Sequence, residues 1–429
     1  MRASNVKFIN SDGPVRIRRW ALILVAFVFV CSLAVFTPPH VGHAAGPSVV
    51  AFSSATYGVQ EDMTFKTITV MRTGDVSGPA TVDYATANVN ASQRTDYTAA
   101  VGTLRFAAGE SSKTLDVLIS EDIKLEGTET FTITLSNGTG QALLGTPSTA
   151  TVTITDDSIE TGANPIDFND IFVGQHYHDF LARQGDASGQ PFWEGQISIC
   201  GSNQACIDDR RTNVSAAFFL SIEFQQSGYF VIRAHKAAFG SAKSNPRYLT
   251  FLRDGRRVSD GVIVGNTGWE ALLDANRQAF LEEFVSRSEF VAVFPQGVNV
   301  FTYVDTLFAN EGVTPTVSER QAASNAYGTG NTLGRAAALK SVIESDSVFK
   351  TQYNPAFVLM QYFGYLRRDA DDAPDNNFNG YDFWLNKMNQ VSVPGENVRD
   401  DAVALARVKR ADMVKSFLVS AEYRGRFGL

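Results

Sequence analysis

Seven runs of alternating hydrophobic and polar residues lie between residues 48 and 156. Each is rich in Val, Thr, Ile and Phe, and this period-2 alternation predicts half-buried β-strands. The predicted strands cover residues 48–58, 64–73, 79–86, 101–106, 111–119, 129–136 and 148–155. The spacing predicts a sandwich in which successive strands run antiparallel.

Acidic residues occupy every second gap between these predicted strands. In an antiparallel arrangement the first, third, fifth and seventh strands all end at one pole of the sandwich. The carboxylates that follow those strands are Glu61, Asp62, Asp96, Glu121, Asp122, Glu126, Glu129, Asp156 and Asp157. Like charges crowded together repel unless a cation lies among them, and an oxygen-rich cage suits Ca²⁺. The sequence therefore predicts a calcium site at this pole.

The net charge of the chain belongs to this region. Residues 47–160 hold 14 Asp plus Glu and 6 Lys plus Arg, a net charge of −8. The whole chain holds 45 acidic and 37 basic residues, also −8, so the remainder is formally neutral. The acidity argues against nucleic acid as a partner.

The first 46 residues are expected to form an export signal. Three arginines at positions 16, 18 and 19 precede an apolar run over 20–36, and small residues follow at 42–45. The alternative is a membrane anchor formed by residues 20–36, although seventeen apolar residues are marginal for spanning a bilayer. We expect cleavage and an extracellular, cell-surface or periplasmic location.

Two cysteines, Cys200 and Cys206, lie close together in the sequence. In an exported chain this spacing favours a small loop-closing disulfide. Free thiols and a metal site are the alternatives, and a metal site would need further soft ligands that the neighbouring sequence lacks.

Four motifs in order resemble those of a Calx-beta domain over residues 48–158: 95–97, 102–110, 126–137 and 150–157. The resemblance implies an immunoglobulin-like sandwich that binds Ca²⁺ at its distal loops in calcium-regulated family members. It implies metal ligands at Glu61, Asp96, Asp122, Glu126, Glu129, Asp156 and Asp157. Two departures are Thr128, where the family often has Asp, and Ser158, which ends a shortened acidic run. A spacer with solvated acidic loops is the alternative.

Beyond residue 160 the periodicity becomes helical, after a Gly- and Pro-containing linker over 160–165. The pattern Tyr-x-x-aromatic-Leu-x-Arg occurs at 177–183 and again at 362–368. A closing motif at 218–224, read as one helix, recurs at 284–290, 342–349 and 417–423. Such recurrence predicts stacked helical modules. We assign clear modules to 166–240 and 350–429 and degenerate ones to 241–349.

The two clear modules resemble the bacterial domain of unknown function 4214. That resemblance implies a secreted or surface location and no particular chemistry. The aromatic and Leu positions of the motif fall at helical spacing, which predicts that they form the core. The predicted fold class is therefore multidomain: an all-β sandwich followed by an all-α repeat region.

One loop resembles the opening half of a calcium loop, with Asp375, Asn377, Asn379 and then Asp382. The closing acidic residue is missing, because Asn386 stands at position twelve. A polar turn before a helix explains the same residues and stays the alternative.

We find no catalytic motif. Neither His-Glu-x-x-His nor Gly-x-Ser-x-Gly occurs, and the acidic pairs are adjacent in sequence instead of opposed. The leading hypothesis is a non-enzymatic exported protein. In it a calcium-binding spacer joins a helical region that contacts itself or other envelope or extracellular proteins or glycans. The alternatives are a glycan- or peptide-binding surface module and a polysaccharide hydrolase.

Overall fold

The computed structural model describes residues 46–62, 64–157, 161–240 and 242–428. Within these residues the chain forms nine β-strands and then fifteen α-helices, which confirms the predicted order of an all-β and an all-α region. The predicted export signal lies outside the described residues.

Two antiparallel-rich sheets pack face to face in the N-terminal region. One sheet has the strand order β6-β3-β1-β8 and the other β2-β9-β7-β4-β5. Alternate residues such as Phe131, Ile133 and Leu135 point into the space between the sheets and are buried. The strands are β1 (Ser48–Phe52), β2 (Thr56–Gln60), β3 (Phe65–Gly74), β4 (Ala80–Asn88), β5 (Val101–Phe106), β6 (Ser112–Leu118), β7 (Thr128–Thr139), β8 (Ala142–Leu144) and β9 (Thr149–Thr155).

The prediction of a single first strand over 48–58 is wrong. The run divides into β1, which pairs with β3, and β2, which pairs in parallel with β9 in the other sheet. The division falls at a local turn in which the Ser54 hydroxyl accepts a hydrogen bond from the Thr56 amide (3.2 Å) and donates one to the Thr56 carbonyl (2.8 Å). Such side-chain bonds compete with the ladder and let the chain change sheets.

The C-terminal region is helical throughout. The helices are α1 (Asn169–Leu181), α2 (Gly189–Ser198), α3 (Gln204–Leu220), α4 (Ile222–Phe239), α5 (Tyr248–Ser259), α6 (Trp269–Phe284), α7 (Ser288–Val293), α8 (Val300–Asn310), α9 (Val317–Tyr327), α10 (Thr332–Ile343), α11 (Asp346–Tyr365), α12 (Asn379–Val391), α13 (Asp401–Ala411), α14 (Met413–Leu418) and α15 (Ala421–Arg424). Their inner faces share one core, in which the motif aromatics Phe180 and Tyr365 stand edge to face at 5.2 Å. Among the described residues, none of these helices combines the length and apolar character needed to cross a bilayer.

The closing motif at 218–224 is not one helix, and that prediction is wrong. Helix α3 ends at Leu220, and Ser221 adopts an extended conformation before α4. The Ser221 hydroxyl accepts a hydrogen bond from the Phe224 amide (3.1 Å), so it caps the new helix and ends the old one. Ser345 and Ser420 cap α11 and α15 in the same way. The recurring motif is therefore a junction between two helices, capped by serine in three of its four copies; at 284–290 the N-cap residue is Arg287, whose side chain makes no capping bond.

The two copies of the repeat also share an ion pair. Arg183 donates to both carboxylate oxygens of Glu223 at 2.8 and 2.9 Å. In the second copy Arg368 does the same to Glu422, at 2.5 and 2.9 Å. In both copies the arginine lies just beyond the motif helix, and the glutamate lies two residues after the capping serine. The sequence repeat is therefore also a structural repeat.

The sandwich packs on the helices through a buried arginine, Arg367. Its guanidinium donates to the Tyr97 carbonyl (2.9 Å) and the Ser120 hydroxyl (3.1 Å), and to Asp179 of α1 (2.8 Å). Gln93 returns a hydrogen bond to the Arg367 carbonyl (3.1 Å). The loops that meet the helices are thus the loops at the acidic pole.

Candidate metal centre

Strand pairing places three acidic positions at the same end of neighbouring strands in the five-stranded sheet. The last residue of β2 pairs with the last residue of β9, which in turn pairs with the first residue of β7. Glu61 and Asp156 follow the first two strands, and Glu129 is the second residue of the third. Strands that run parallel and antiparallel in this register bring all three to the same end.

Two loops complete this pole, residues 89–100 after β4 and 119–127 after β6. They are joined by backbone hydrogen bonds, from the Ser120 amide to the Asp96 carbonyl (2.9 Å) and from the Thr98 amide to the Leu118 carbonyl (2.8 Å). The structure therefore gathers the acidic turns as the alternation of strands predicts.

The carboxylates fall into two groups that share one member. Glu61, Asp122 and Glu126 form the first, and Asp96, Glu126 and Glu129 form the second. In each group the nearest side-chain oxygens all lie within 4.8 Å of one another. Oxygens bound to one Ca²⁺ at about 2.3–2.6 Å lie within about 5 Å of each other, so each group has the dimensions of a calcium site.

The second group contains buried oxygens without donors. Asp96 is 3% exposed. One of its oxygens accepts a hydrogen bond from the Ser92 amide (2.6 Å). Asp96 Oδ1 and Glu129 Oε2 are buried and have no hydrogen-bond partner among the described residues. Buried carboxylate oxygens are normally paired, because leaving one unpaired costs about 1–3 kcal/mol or more. A cation between them would satisfy both.

The first group has a partial counter-charge. Asp122 is 1% exposed and accepts hydrogen bonds from the amide (2.7 Å) and the ammonium (3.2 Å) of Lys124. Lys124 also donates to the Arg426 carbonyl (3.2 Å) at the C-terminal end of the helical region. Lys124 is therefore a counter-charge for Asp122 at the edge of the cluster.

The electrostatic cost of this crowding shows in the pKa values. Burial, and next the neighbouring Asp96, raises the pKa of Glu129 to about 8. Burial followed by the charges of Asp122 and Asp96 raises the pKa of Glu126. Burial also raises the pKa of Asp122, despite Lys124. These groups resist ionisation because no sufficient positive charge is near. An all-oxygen donor set of this kind fits a hard cation such as Ca²⁺.

The remaining two predicted ligands lie at the margin of the pole. One Asp156 oxygen accepts a hydrogen bond from the Gly127 amide (2.8 Å), and its charge raises the pKa of Glu126. Asp157 is the next residue and belongs to neither of the two groups. Asp156 therefore shapes the loop that carries Glu126.

The second predicted calcium loop holds its polar groups differently. Asp375 accepts a hydrogen bond from Arg368 (2.6 Å), and Asp382 forms an ion pair with Lys243. Asn377 donates to the Asp375 carbonyl (2.7 Å) and accepts from the Asn379 amide (2.7 Å). These contacts favour the polar turn before α12. A calcium site there stays a prediction.

The predicted disulfide is present. Cys200 and Cys206 are bonded with their Cα atoms 5.6 Å apart, at the junction of α2 and α3.

Sequence reasoning missed the residues that tie the pole to the helices. Arg367 occupies one of the unspecified positions of the repeat motif, so the pattern did not indicate that it contacts the sandwich. Tyr97 stacks on Phe131 at 4.0 Å directly behind the carboxylates, and its carbonyl receives the Arg367 guanidinium. Only the motif containing Asp96 and Tyr97 could have drawn attention to that loop.

Comparisons with known proteins agree with the geometry. The sequence model of the Calx-beta domain matches residues 43–158. The chain is similar to sodium/calcium exchanger 1 of Mus musculus, at 34% identity over 128 residues, which is 26% of this chain and 13% of the exchanger. It is also similar to the sodium/calcium exchanger Calx of Drosophila melanogaster (33% over 111 residues; 26% and 12%). A third relative is the extracellular matrix organizing protein FRAS1 of Mus musculus (34% over 118 residues; 26% and 3%).

Solved structures also match a part of the chain. One is the apo-form Calx CBD1 domain, with 32% identity and a TM-score of 0.26, covering 26% of this chain and 100% of that domain. Another is described as the calcium binding domain CBD12 of CALX1.1, with 33% identity and a TM-score of 0.25, covering 25% and 45%. The chain thus spans only a small part of the curated relatives it matches. Residues 43–158, about a quarter of this protein, are a Calx-beta domain.

Proposed function

We propose that this protein is an exported, non-enzymatic envelope or extracellular protein whose Calx-beta domain binds Ca²⁺ through two adjacent sites at its acidic pole. Glu61, Asp122 and Glu126 would hold one ion, and Asp96, Glu126 and Glu129 the other. Bound calcium would supply positive charge to Asp122, Glu126 and Glu129, whose pKa values are raised. The relatives whose names refer to calcium, the exchangers and the solved calcium binding domain, support this proposal.

The observation that carries it is the pair of buried oxygens on Asp96 and Glu129, which receive no hydrogen bond from any other described residue. Below about pH 8 the proton on Glu129 itself takes the place between them that a cation would occupy. A purely structural acidic loop would point its carboxylates to water or to cations of the protein. Here they point at one another, and the site keeps them together through Ser92, Ser120 and the strand register.

Isothermal titration of the full chain with CaCl₂ tests the proposal. Asp96→Asn, which removes one charge from the second group, should weaken binding by at least about tenfold. Glu270→Gln, an exposed acidic residue on α6, is the matched control and should bind like the unchanged protein. Absence of heat and of a thermal shift at millimolar calcium in the unchanged protein would overturn the proposal.

The export proposal is supported by the disulfide between Cys200 and Cys206, since such bonds persist in oxidising compartments. Calcium is also abundant outside cells, where modules of weak affinity suffice.

For the helical region we propose two modules of the domain of unknown function 4214 that act as an interaction or assembly surface. The equivalent pairs of Arg183 with Glu223 and Arg368 with Glu422 support the repeat. Light scattering with and without calcium tests assembly: calcium-dependent growth in mass supports it, and a monomer under both conditions at high protein concentration counts against it.

A further inference from the structure

A cleft of about 510 Å³ lies between the sandwich and the helices, and its lining includes none of the carboxylates of the two candidate calcium groups. Strands β5 and β6 form one wall, and the C-terminal part of α5 with the end of α6 forms the other. Its floor includes the buried side chains of Leu115 and Val262. A volume of this size accommodates a small organic molecule.

The charge of this cleft is opposite to that of the chain as a whole. Seven cationic side chains and five acidic ones line it, in a protein whose net charge is −8. The cationic residues are Arg105, Lys113, Arg183, Arg253, Arg256, Arg257 and Arg287.

Most of these cations already have a carboxylate partner. Arg183 is bound by Glu223, and Arg287 donates two hydrogen bonds to Asp254 at 2.8 Å each. Arg253 shares Asp254 at 3.1 Å. Most acidic side chains of the cleft therefore already form ion pairs with these cations.

Two arginines in the last turn of α5 are the exception. Both side chains line the cleft, and neither donates a hydrogen bond or forms an ion pair with a described residue; Arg256 Nε and Nη2 and Arg257 Nε are themselves buried, so a ligand would meet the remaining guanidinium nitrogens. Both side chains are half-buried, and burial followed by the charge of Arg105 lowers the pKa of Arg257. Cations at a helix C-terminus interact well with the helix dipole, but this does not satisfy their N–H groups.

We propose that this cleft binds an organic oxyanion, a molecule that presents a carboxylate, phosphate or sulfate group to Arg256 and Arg257, whereas Arg105 of the opposite wall is paired with Glu283 (3.1 Å). A guanidinium offers paired N–H donors in the planar arrangement that such groups accept. Bound between α5 and β5, the anion contacts both parts of the protein. This site is separate from the calcium cluster and does not depend on it.

The test measures thermal unfolding of the full chain in sodium sulfate, sodium phosphate, glucuronate and glucose 6-phosphate, each compared with NaCl at the same ionic strength. At least one oxyanion should raise the melting temperature beyond NaCl. Glucuronate and glucose 6-phosphate distinguish a carboxylate from a phosphate ligand.

Arg256→Gln/Arg257→Gln should weaken that response by at least about tenfold in concentration. Arg210→Gln on α3, a half-buried arginine outside the cleft, should keep it. Because the double substitution relieves repulsion, its melting temperature in NaCl should equal or exceed that of the unchanged protein. The proposal is overturned by no oxyanion-specific shift in the unchanged protein, by an equal shift in the double variant, or by a double variant that is less stable in NaCl. Asp96→Asn should leave the oxyanion response intact, so failure of calcium binding and failure of this site are distinguishable.

Discussion

Two of the clusters in which this protein buries carboxylates balance the negative charge in opposite ways. In the helical region Asp179 is fully enclosed, and its oxygens accept hydrogen bonds from Arg367 (2.8 Å) and Arg426 (2.9 and 3.1 Å). Burial alone would raise the pKa of Asp179, but the charges of Arg426 and Arg367 outweigh it and hold the pKa below its ordinary value. At the acidic pole, by contrast, Glu129 faces other carboxylates and its pKa is raised to about 8.

The difference indicates two roles for buried carboxylates: one is neutralised by arginines of the protein, and the other can bind an added cation. Asp179 carries its counter-ions within the protein, so it contributes to holding α1, α11 and the C-terminal end together. At the pole, burial and the neighbouring carboxylates raise the pKa of Glu129, Glu126 and Asp122, so these three groups ionise less readily without an added cation. The two places are linked, since Arg367 binds Asp179 with one edge and the loops of the pole with the other.

The largest expected effect on the free energy of unfolding comes from removing the charge of Asp179, which pairs with two buried arginines. Asp179→Asn leaves two guanidiniums, each at most 4% exposed as side chains, without a counter-charge. Removing one partner of a buried ion pair costs about 3–5 kcal/mol, a large part of an ordinary domain's stability. Urea unfolding measures the loss. Asp305→Asn, which removes a surface partner of Arg320, is the control and should change little. Equal stability of Asp179→Asn and the unchanged protein would show that the ion pairs of Asp179 do not stabilise the fold.

The second expected effect is on pH dependence. Without calcium, the folded protein holds a proton on Glu129 up to about pH 8, whereas an unfolded glutamate releases it near 4.5. The contribution of Glu129 to stability without calcium should therefore be fully present below about pH 4.5 and be lost as the pH rises through about 8. Calcium needs ionised carboxylates, so its affinity should rise over the same range. Melting temperatures at several pH values, with EDTA and with calcium, check both signs; parallel profiles would contradict the account.

A smaller effect on the melting temperature is expected from Glu129→Gln at the acidic pole. Glu129→Gln removes a charge that the calcium-free site tolerates poorly, so it should slightly raise the melting temperature in EDTA. It should also reduce the stabilisation that calcium gives. Differential scanning calorimetry in both conditions measures the two effects, and a variant destabilised in EDTA would show that the carboxylate makes favourable contacts of its own.

The smallest effect is expected at an exposed pair across the same junction. Arg94 and Asp372 are 3.2 Å apart with both side chains 35% exposed. Exposed pairs contribute about 0–1 kcal/mol, so Arg94→Gln should change urea unfolding by less than about 1 kcal/mol. A loss comparable to that of Asp179→Asn would mean that burial does not decide the difference between the two pairs.

Much of the acidic pole could be predicted from the sequence because strand alternation is a local property. Period-2 patterning locates the strands, and their antiparallel order decides which turns meet. The split of the first run into β1 and β2 changed the sheet pairing without moving Glu61 from the pole, because β2 still ends there.

The contacts between the regions could not be predicted in this way. Arg367 is an unmarked position in its motif, and its importance comes from packing between elements about 270 residues apart in sequence. Ser221 looked like part of a helix because Phe and Leu surround it, and only its extended backbone shows that it caps the next one. The unpaired Arg256 and Arg257 likewise depend on which acids their neighbours already bind.

The most direct test of the central claim is the number of calcium ions bound at equilibrium, measured by dialysis with ⁴⁵Ca²⁺. Glu126 belongs to both carboxylate groups, whereas Glu61 belongs to one. The expected result is two bound ions for the unchanged protein and for Glu270→Gln, one for Glu61→Gln, and none for Glu126→Gln. Equal calcium binding by Glu126→Gln and the unchanged protein would contradict it.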